Sequence, residues 1–167
     1  MREVSSLVAE GVWVVLAAGL AIAIPGIVSA MSVSMAGVAA AAVASEDPKK
    51  AYKAFVFEVL PGTQGIYGFV AGFLIIIGAG LTTGAALKPE LAGTAGIGLA
   101  VLAAAVPAIL QGFTAYYQGK VATAGIAAIA KRPEVFAPGL MYTVMVELYA
   151  ILGLLATILM LTFIGAL

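Results

Sequence analysis

The sequence predicts an all-α membrane protein, with four transmembrane helices arranged as two duplicated, parallel helical hairpins. Three observations carry this. The 167 residues are 63% hydrophobic and only 10% charged, with a mean hydropathy of +1.17. A water-soluble domain needs a polar surface that this chain cannot furnish. Apolar stretches reach the roughly 20 residues that a bilayer core requires in four places, and the charged residues gather between them.

In chain order, the stretches are expected at 8–43, 54–87, 91–129 and 136–165. The start, with Glu3 and Glu10 against Arg2, lacks the basic n-region of a signal peptide, so the first helix is expected to be retained. The turns are "SEDPKKAYK", "LKPEL" and "KRPEVF", in which Pro48, Pro89 and Pro133 stop the helices. Several stretches exceed the bilayer core and should tilt or protrude.

The chain reads as one membrane domain, 1–167, written twice: a hairpin over 1–87 and another over 88–167. Sliding the second helix onto the fourth by 85 residues aligns Pro48 with Pro133, Val59 with Val144 and Ile66 with Ile151. The same register aligns Gly68 with Gly153, Ala71 with Ala156, Leu74 with Leu159 and Gly80 with Gly165. The first and third helices match less well; "AIPGIVSA" resembles "AVPAILQG" at an offset of 82. Both are rich in Gly, Ala and Ser, which lets membrane helices approach closely, while the second and fourth are bulkier. Two such layers suit the wall of a ring, and packing alone also suits an ordinary four-helix membrane bundle.

Eight basic and eight acidic residues cancel, which gives no reason to expect a nucleic-acid partner. Cys and His are absent, so disulfides and thiolate or imidazole metal sites are excluded. Basic residues concentrate in the two within-hairpin turns: Lys49, Lys50, Lys53, Lys131 and Arg132. The positive-inside rule therefore places those turns in the cytoplasm and both termini outside.

One carboxylate breaks the pattern. Glu147 stands inside the apolar run "VMVELYAILGLL", where a charge costs about 2.5–3.5 kcal/mol. Leu60, Thr63, Gln64 and Tyr67 recur at i, i+3, i+4 and i+7 and share one helix face. Gln111 and Glu147 flank residue 129 symmetrically, each about 27 Å from it along a helix. The group is expected at one depth. Pro61 lacks an N–H and releases a carbonyl one turn earlier. Carboxylate, amide, hydroxyl and carbonyl oxygens suit a hard cation. Thr and Gln alone also serve as interhelical hydrogen-bond glue. No basic residue is expected beside Glu147; Lys120 should snorkel toward the interface, and Glu58 is expected to be interfacial. The counter-charge for Glu147 is then mobile, a proton or a metal ion.

"LPGTQGIYGF", Gln111 and "VELYAILG" together resemble the proteolipid, K or c, of prokaryotic V/A-type rotary ATPases, over essentially the whole chain. The resemblance implies a homo-oligomeric rotor ring that carries a cation past a membrane stator subunit and docks a central stalk through its cytoplasmic turns. It implies Glu147 as the ion-carrying carboxylate. In sodium-coupled members the ligands would be Leu60 (carbonyl), Thr63, Gln64, Gln111 and Glu147, with Tyr67 hydrogen-bonded to the carboxylate. Na+ is favoured as cargo, and H+ alone is the alternative. No phosphate-binding GxxxxGK[ST] loop is present, so ATP chemistry is expected in a separate soluble sector. A small secondary cation carrier is the reading of a different class, and an inverted repeat would suit it better.

Overall fold

The computed structural model describes residues 2–83 and 87–167. It is helical, with no strand among the described residues, and four stretches are long and apolar enough to cross a membrane: Val8–Glu46, Pro48–Gly78, Ile97–Lys131 and Pro133–Phe163. Its helices are α1 (Arg2–Glu46), α2 (Ala51–Val59), α3 (Thr63–Gly78), α4 (Pro89–Ala92), α5 (Ile97–Gln111), α6 (Thr114–Lys131) and α7 (Phe136–Phe163). At 45 residues, α1 is far longer than a bilayer core requires.

Helix ends differ from the sequence expectation where glycine decides them. The second span was expected to run to 87, but α3 stops at Gly78. Gly80 adopts φ 79°, a left-handed turn that an L side chain disfavours, and its N–H bonds the Ile77 carbonyl. Residues 84–86, the rest of that expected stretch, lie outside the described residues. The third span begins at Ile97 rather than 91, because Gly96, also left-handed, separates it from the single turn of α4.

The within-hairpin turns lie side by side at one end of the molecule. Asp47 (φ −143°, ψ 94°) and Arg132 (φ −138°, ψ 93°) take nearly the same extended conformation, and each leads into a proline-initiated 3-10 turn. Lys50 Nζ donates to the Ala130 carbonyl at 2.6 Å, and Lys53 Nζ donates to the Pro133 carbonyl at 3.2 Å. Lys50 thus satisfies a carbonyl left open at the C-terminus of α6. Phe57 and Phe136 meet edge-on, 5.7 Å between centroids. At the opposite end, Glu10 accepts hydrogen bonds from the Gly96 and Gly98 N–H groups at 2.8 and 2.7 Å, capping α5 from α1.

The small residues of α1 do what their size predicts. α1 packs against α3, α5 and α6. At Gly68 a Cβ would come within 2.4 Å of the Ala21 carbonyl and 2.6 Å of Pro25, so these backbones touch as only glycine permits.

Two apolar clusters fill the interior. One joins Val14, Ala21, Ile75, Val101, Ala105 and Leu161; the other, nearer the paired turns, joins Ala36, Ala54, Phe57, Ala122, Ile126 and Ile129. Buried polar side chains include Ser32, Gln64, Gln111, Gln118, Thr143 and Glu147, at chain positions between those of the two clusters. Helical hydrogen bonding is interrupted at that level in two neighbouring helices. Leu60–Gly62 form a 3-10 turn around Pro61, and the Gly112 and Phe113 N–H groups bond three residues back, separating α5 from α6. Irregular backbone at membrane depth is tolerated only inside protein or beside a cavity.

Candidate ion-carrying site

Glu147 projects from α7 toward α3 and α6 and is 8% exposed. Three side chains address its carboxylate. Tyr67 donates its hydroxyl to Oε1 at 2.5 Å. Thr63 Oγ1 lies 2.8 Å from Oε2, and Gln118 Nε2 donates to the same oxygen at 2.8 Å. Tyr67 and Thr63 both stand on α3, four residues apart, so one helix face presents both hydroxyls to α7. Hydrogen bonds to a carboxylate are about twice as strong as neutral ones. They help to offset the cost of holding it among apolar helices.

Thr63 Oγ1 is the hub of an oxygen cluster. Besides Glu147 Oε2, it lies 2.8 Å from the Leu60 carbonyl oxygen and 3.3 Å from Gln64 Oε1. A hydroxyl carries one hydrogen, so it satisfies only one of these three acceptors at a time. Carboxylate, hydroxyl, amide and backbone oxygens thus crowd a single point, with no cationic side chain hydrogen-bonded or ion-paired to any of them among the described residues.

Behind this cluster runs a line of glutamines. Gln64 Nε2 donates to Gln118 Oε1 at 2.6 Å. Gln118 Nε2 also reaches the Thr143 carbonyl at 3.1 Å. Gln111 Nε2 donates to the Gln64 backbone carbonyl at 3.1 Å. Gln111 Oε1 is buried without a hydrogen-bond partner, the one such side-chain atom among the described residues. An orphaned buried acceptor costs about 1–3 kcal/mol and calls for an explanation.

The sequence places Leu60, Thr63, Gln64, Tyr67, Gln111 and Glu147 at one level. In the structure Thr63 and Tyr67 touch Glu147 directly, and the Leu60 carbonyl and Gln64 join through Thr63. Gln111 is not hydrogen-bonded to Glu147; it reaches the group through the Gln64 backbone.

Gln118 is absent from the set that the sequence suggests, although its signal is present there. Depth measured from residue 129 pairs Glu147 with Gln111, but the chain reverses at Arg132–Pro133. Measured from there, the residue facing Glu147 is Gln118, two turns beyond Gln111 on the same face. Lys120 does not touch the carboxylate; its Nζ lies 4.4 Å from the centroid of the Tyr116 ring.

The chain's relatives carry related names. A profile of the family described as the C subunit of ATP synthase matches residues 16–75 and 95–160. The chain is 42% identical to the V-type sodium ATPase subunit K of Enterococcus hirae, over 89% of this chain and 90% of that one. It is 37% identical to the A-type ATP synthase subunit K of Methanocaldococcus jannaschii over 86% of its own length, and the match spans 59% of that longer relative. The family implied by "LPGTQGIYGF" and "VELYAILG" is thus the one that matches in both halves of the molecule, and the chain belongs to it: the ring-forming c or K proteolipids of rotary ATPases.

Proposed function

We propose that this rotor-ring proteolipid carries Na+ across the membrane on Glu147, with the Leu60 carbonyl, Thr63, Gln64 and Gln111 as the remaining oxygen ligands and Tyr67 holding the carboxylate closed. The oxygen cluster centred on Thr63 Oγ1 carries the reading. A proton needs one base, whereas this cluster offers a stripped cation several oxygens in place of its hydration shell. The orphaned Gln111 Oε1 adds a further buried acceptor that has no partner within the protein. The sodium in the name of the Enterococcus hirae relative supports the same cargo.

The site then works as a neutral package. Loaded, the carboxylate charge is cancelled by Na+ and the helix pair can face lipid. Unloaded and ionised, it carries the full penalty of an intramembrane charge. Rotation therefore proceeds only with loaded sites against lipid, and discharge needs a basic residue on an adjacent stator subunit. The paired turns at 45–53 and 131–136 face the cytoplasm in this reading, where they dock the central stalk, and the termini lie outside. The duplicated hairpin, 1–87 and 88–167, is supported by the matching conformations of Asp47 and Arg132 and of Gly80 and Gly165 (φ 79° and 73°).

Carbodiimide labelling of the purified ring tests the cargo. The reagent attacks the protonated acid, and Na+ displaces that proton. Millimolar Na+ is expected to slow labelling at Glu147 at neutral pH; an unchanged rate transfers the assignment to H+.

A further inference from the structure

Two charged side chains away from the turns and termini are left unused by the ion site: Glu58 on α2 and Lys120 on α6. Neither makes an ion pair or a hydrogen bond through its side chain with any described residue. Glu58 is half-buried at the seam between α2 and α1, where its Oε1 would lie 2.9 Å from a Cβ on Gly37. Lys120 is exposed on α6, in a stripe with Phe113, Tyr117 and Ala124 that also lies open. Charges at such positions are costly unless paired or in water.

We propose that Glu58 of one chain pairs with Lys120 of the next chain in the ring. The inference rests on the ring assembly proposed above. Three observations carry it. The first is their placement on opposite flanks. Glu58 lies one turn before Gly62, at the end of an open groove of about 620 Å³ between α1 and α3, lined by Gly26, Ser29, Val33, Gly62, Ile66 and Phe69. Lys120 points away from the contacts α6 makes with α1 through Gly119 and with α7 through Gln118.

Depth is the second. Gly125 lies under the Phe57 ring and Gln118 bonds Gln64, which fixes the antiparallel register of α6 against α2 and α3. That register sets Lys120 level with Gly62, about 6 Å from the level of Glu58 at 1.5 Å per residue. Chains related by an axis along the membrane normal keep their depths, and the four-carbon stem of lysine spans such an offset. The third is charge: Lys120 is the one basic residue of the chain away from the turns and termini, and Glu58 is the one acid besides Glu147 so placed. Pairing neutralises both at the interface and fixes which flank meets which.

The chain has no cysteine, so Glu58→Cys with Lys120→Cys gives a clean test in the full ring. Because the depth offset puts the two Cα atoms beyond the reach of a direct disulfide, a short bifunctional thiol cross-linker is used, and it is expected to yield a ladder of covalent multimers that neither single substitution gives. Charge reversal supplies the energetic arm. Glu58→Lys and Lys120→Glu should each lower the temperature at which the detergent-purified ring falls apart into single chains, and the double swap should recover most of that loss. An intact ring that gives no ladder overturns the pairing, and so does a swap no more stable than the single reversals. A wild-type chain that purifies as a monomer sinks the ring assembly instead.

Discussion

Gln118 clasps Glu147: its Nε2 donates to the carboxylate Oε2 at 2.8 Å and to the Thr143 carbonyl, one helical turn away, at 3.1 Å. Its other end accepts from Gln64 Nε2 at 2.6 Å. One buried amide thus joins α3, α6 and α7 and holds the carboxylate from the side opposite the Tyr67 hydroxyl.

Gln118→Ala should therefore weaken the site without removing a proposed ligand. It takes one charge-assisted hydrogen bond from Glu147, worth about 1.5–3 kcal/mol, and leaves the Gln64 amide without its partner. The sodium concentration that half-protects Glu147 from carbodiimide should rise by about tenfold or more, since every 1.4 kcal/mol is a factor of ten. Unaltered protection would show that Gln118 is a packing element only.

Glu147→Gln removes the charge while keeping the size. The Tyr67 hydroxyl still finds a carbonyl oxygen, but the new amide N–H₂ faces Gln118 Nε2, so one donor is left facing another. The ring should still assemble, with a modest loss of stability, and ion transport should stop. Near-normal transport in the variant would remove Glu147 from its role.

Tyr67→Phe deletes one hydroxyl bonded to Oε1 at 2.5 Å and keeps the ring's packing. The carboxylate should then open more often, so Glu147 should label faster with carbodiimide at every sodium concentration. An unchanged rate in the absence of sodium would mean that Tyr67 does not restrain it.

The sidedness rests on the basic turns. Cysteines placed at Ser45 and Lys88 should label from opposite faces of sealed vesicles, with Ser45 cytoplasmic. The structure already joins the turns at 45–53 and 131–136 through Lys50 and Lys53. Labelling of both cysteines from one face would require a different course for α2 and α3.

The spans and the Glu147 neighbourhood are legible in the sequence because they follow composition and helical periodicity. Apolar length defines a membrane helix, and Thr63 and Tyr67 lie one turn apart on one face whatever packs there. Helix ends are less legible. Whether Gly80 or Gly96 ends a helix depends on a left-handed backbone conformation that glycine permits and does not require. Gln118 is hidden for a related reason: an error of about three and a half residues in the turn moves the facing position by twice that, about two helical turns. Glu58 and Lys120 carry no meaning in the sequence because their significance depends on which flank of the molecule each occupies.

Gln111 offers the sharpest division between structure and function. Its Oε1 is buried and unpartnered, while its Nε2 donates to the Gln64 backbone carbonyl, a group inside α3. If this oxygen is kept for an ion, the folded ring carries an unsatisfied acceptor for the sake of binding. Gln111→Met keeps an unbranched side chain of similar length and removes the orphan. In sodium-free buffer the ring should then melt at the wild-type temperature or above it, since relief of an orphaned acceptor is worth about 1–3 kcal/mol and a single neutral hydrogen bond is lost. In saturating sodium the order should reverse. Ligand binding stabilises the wild type by about 2.7 kcal/mol at a hundred times its dissociation constant, and the variant, short of a ligand, should gain less. Thermal melting of both rings across a sodium titration reads both effects. Equal sodium-induced stabilisation in the two would show that Gln111 is no ligand, and that its free oxygen answers to something other than the ion.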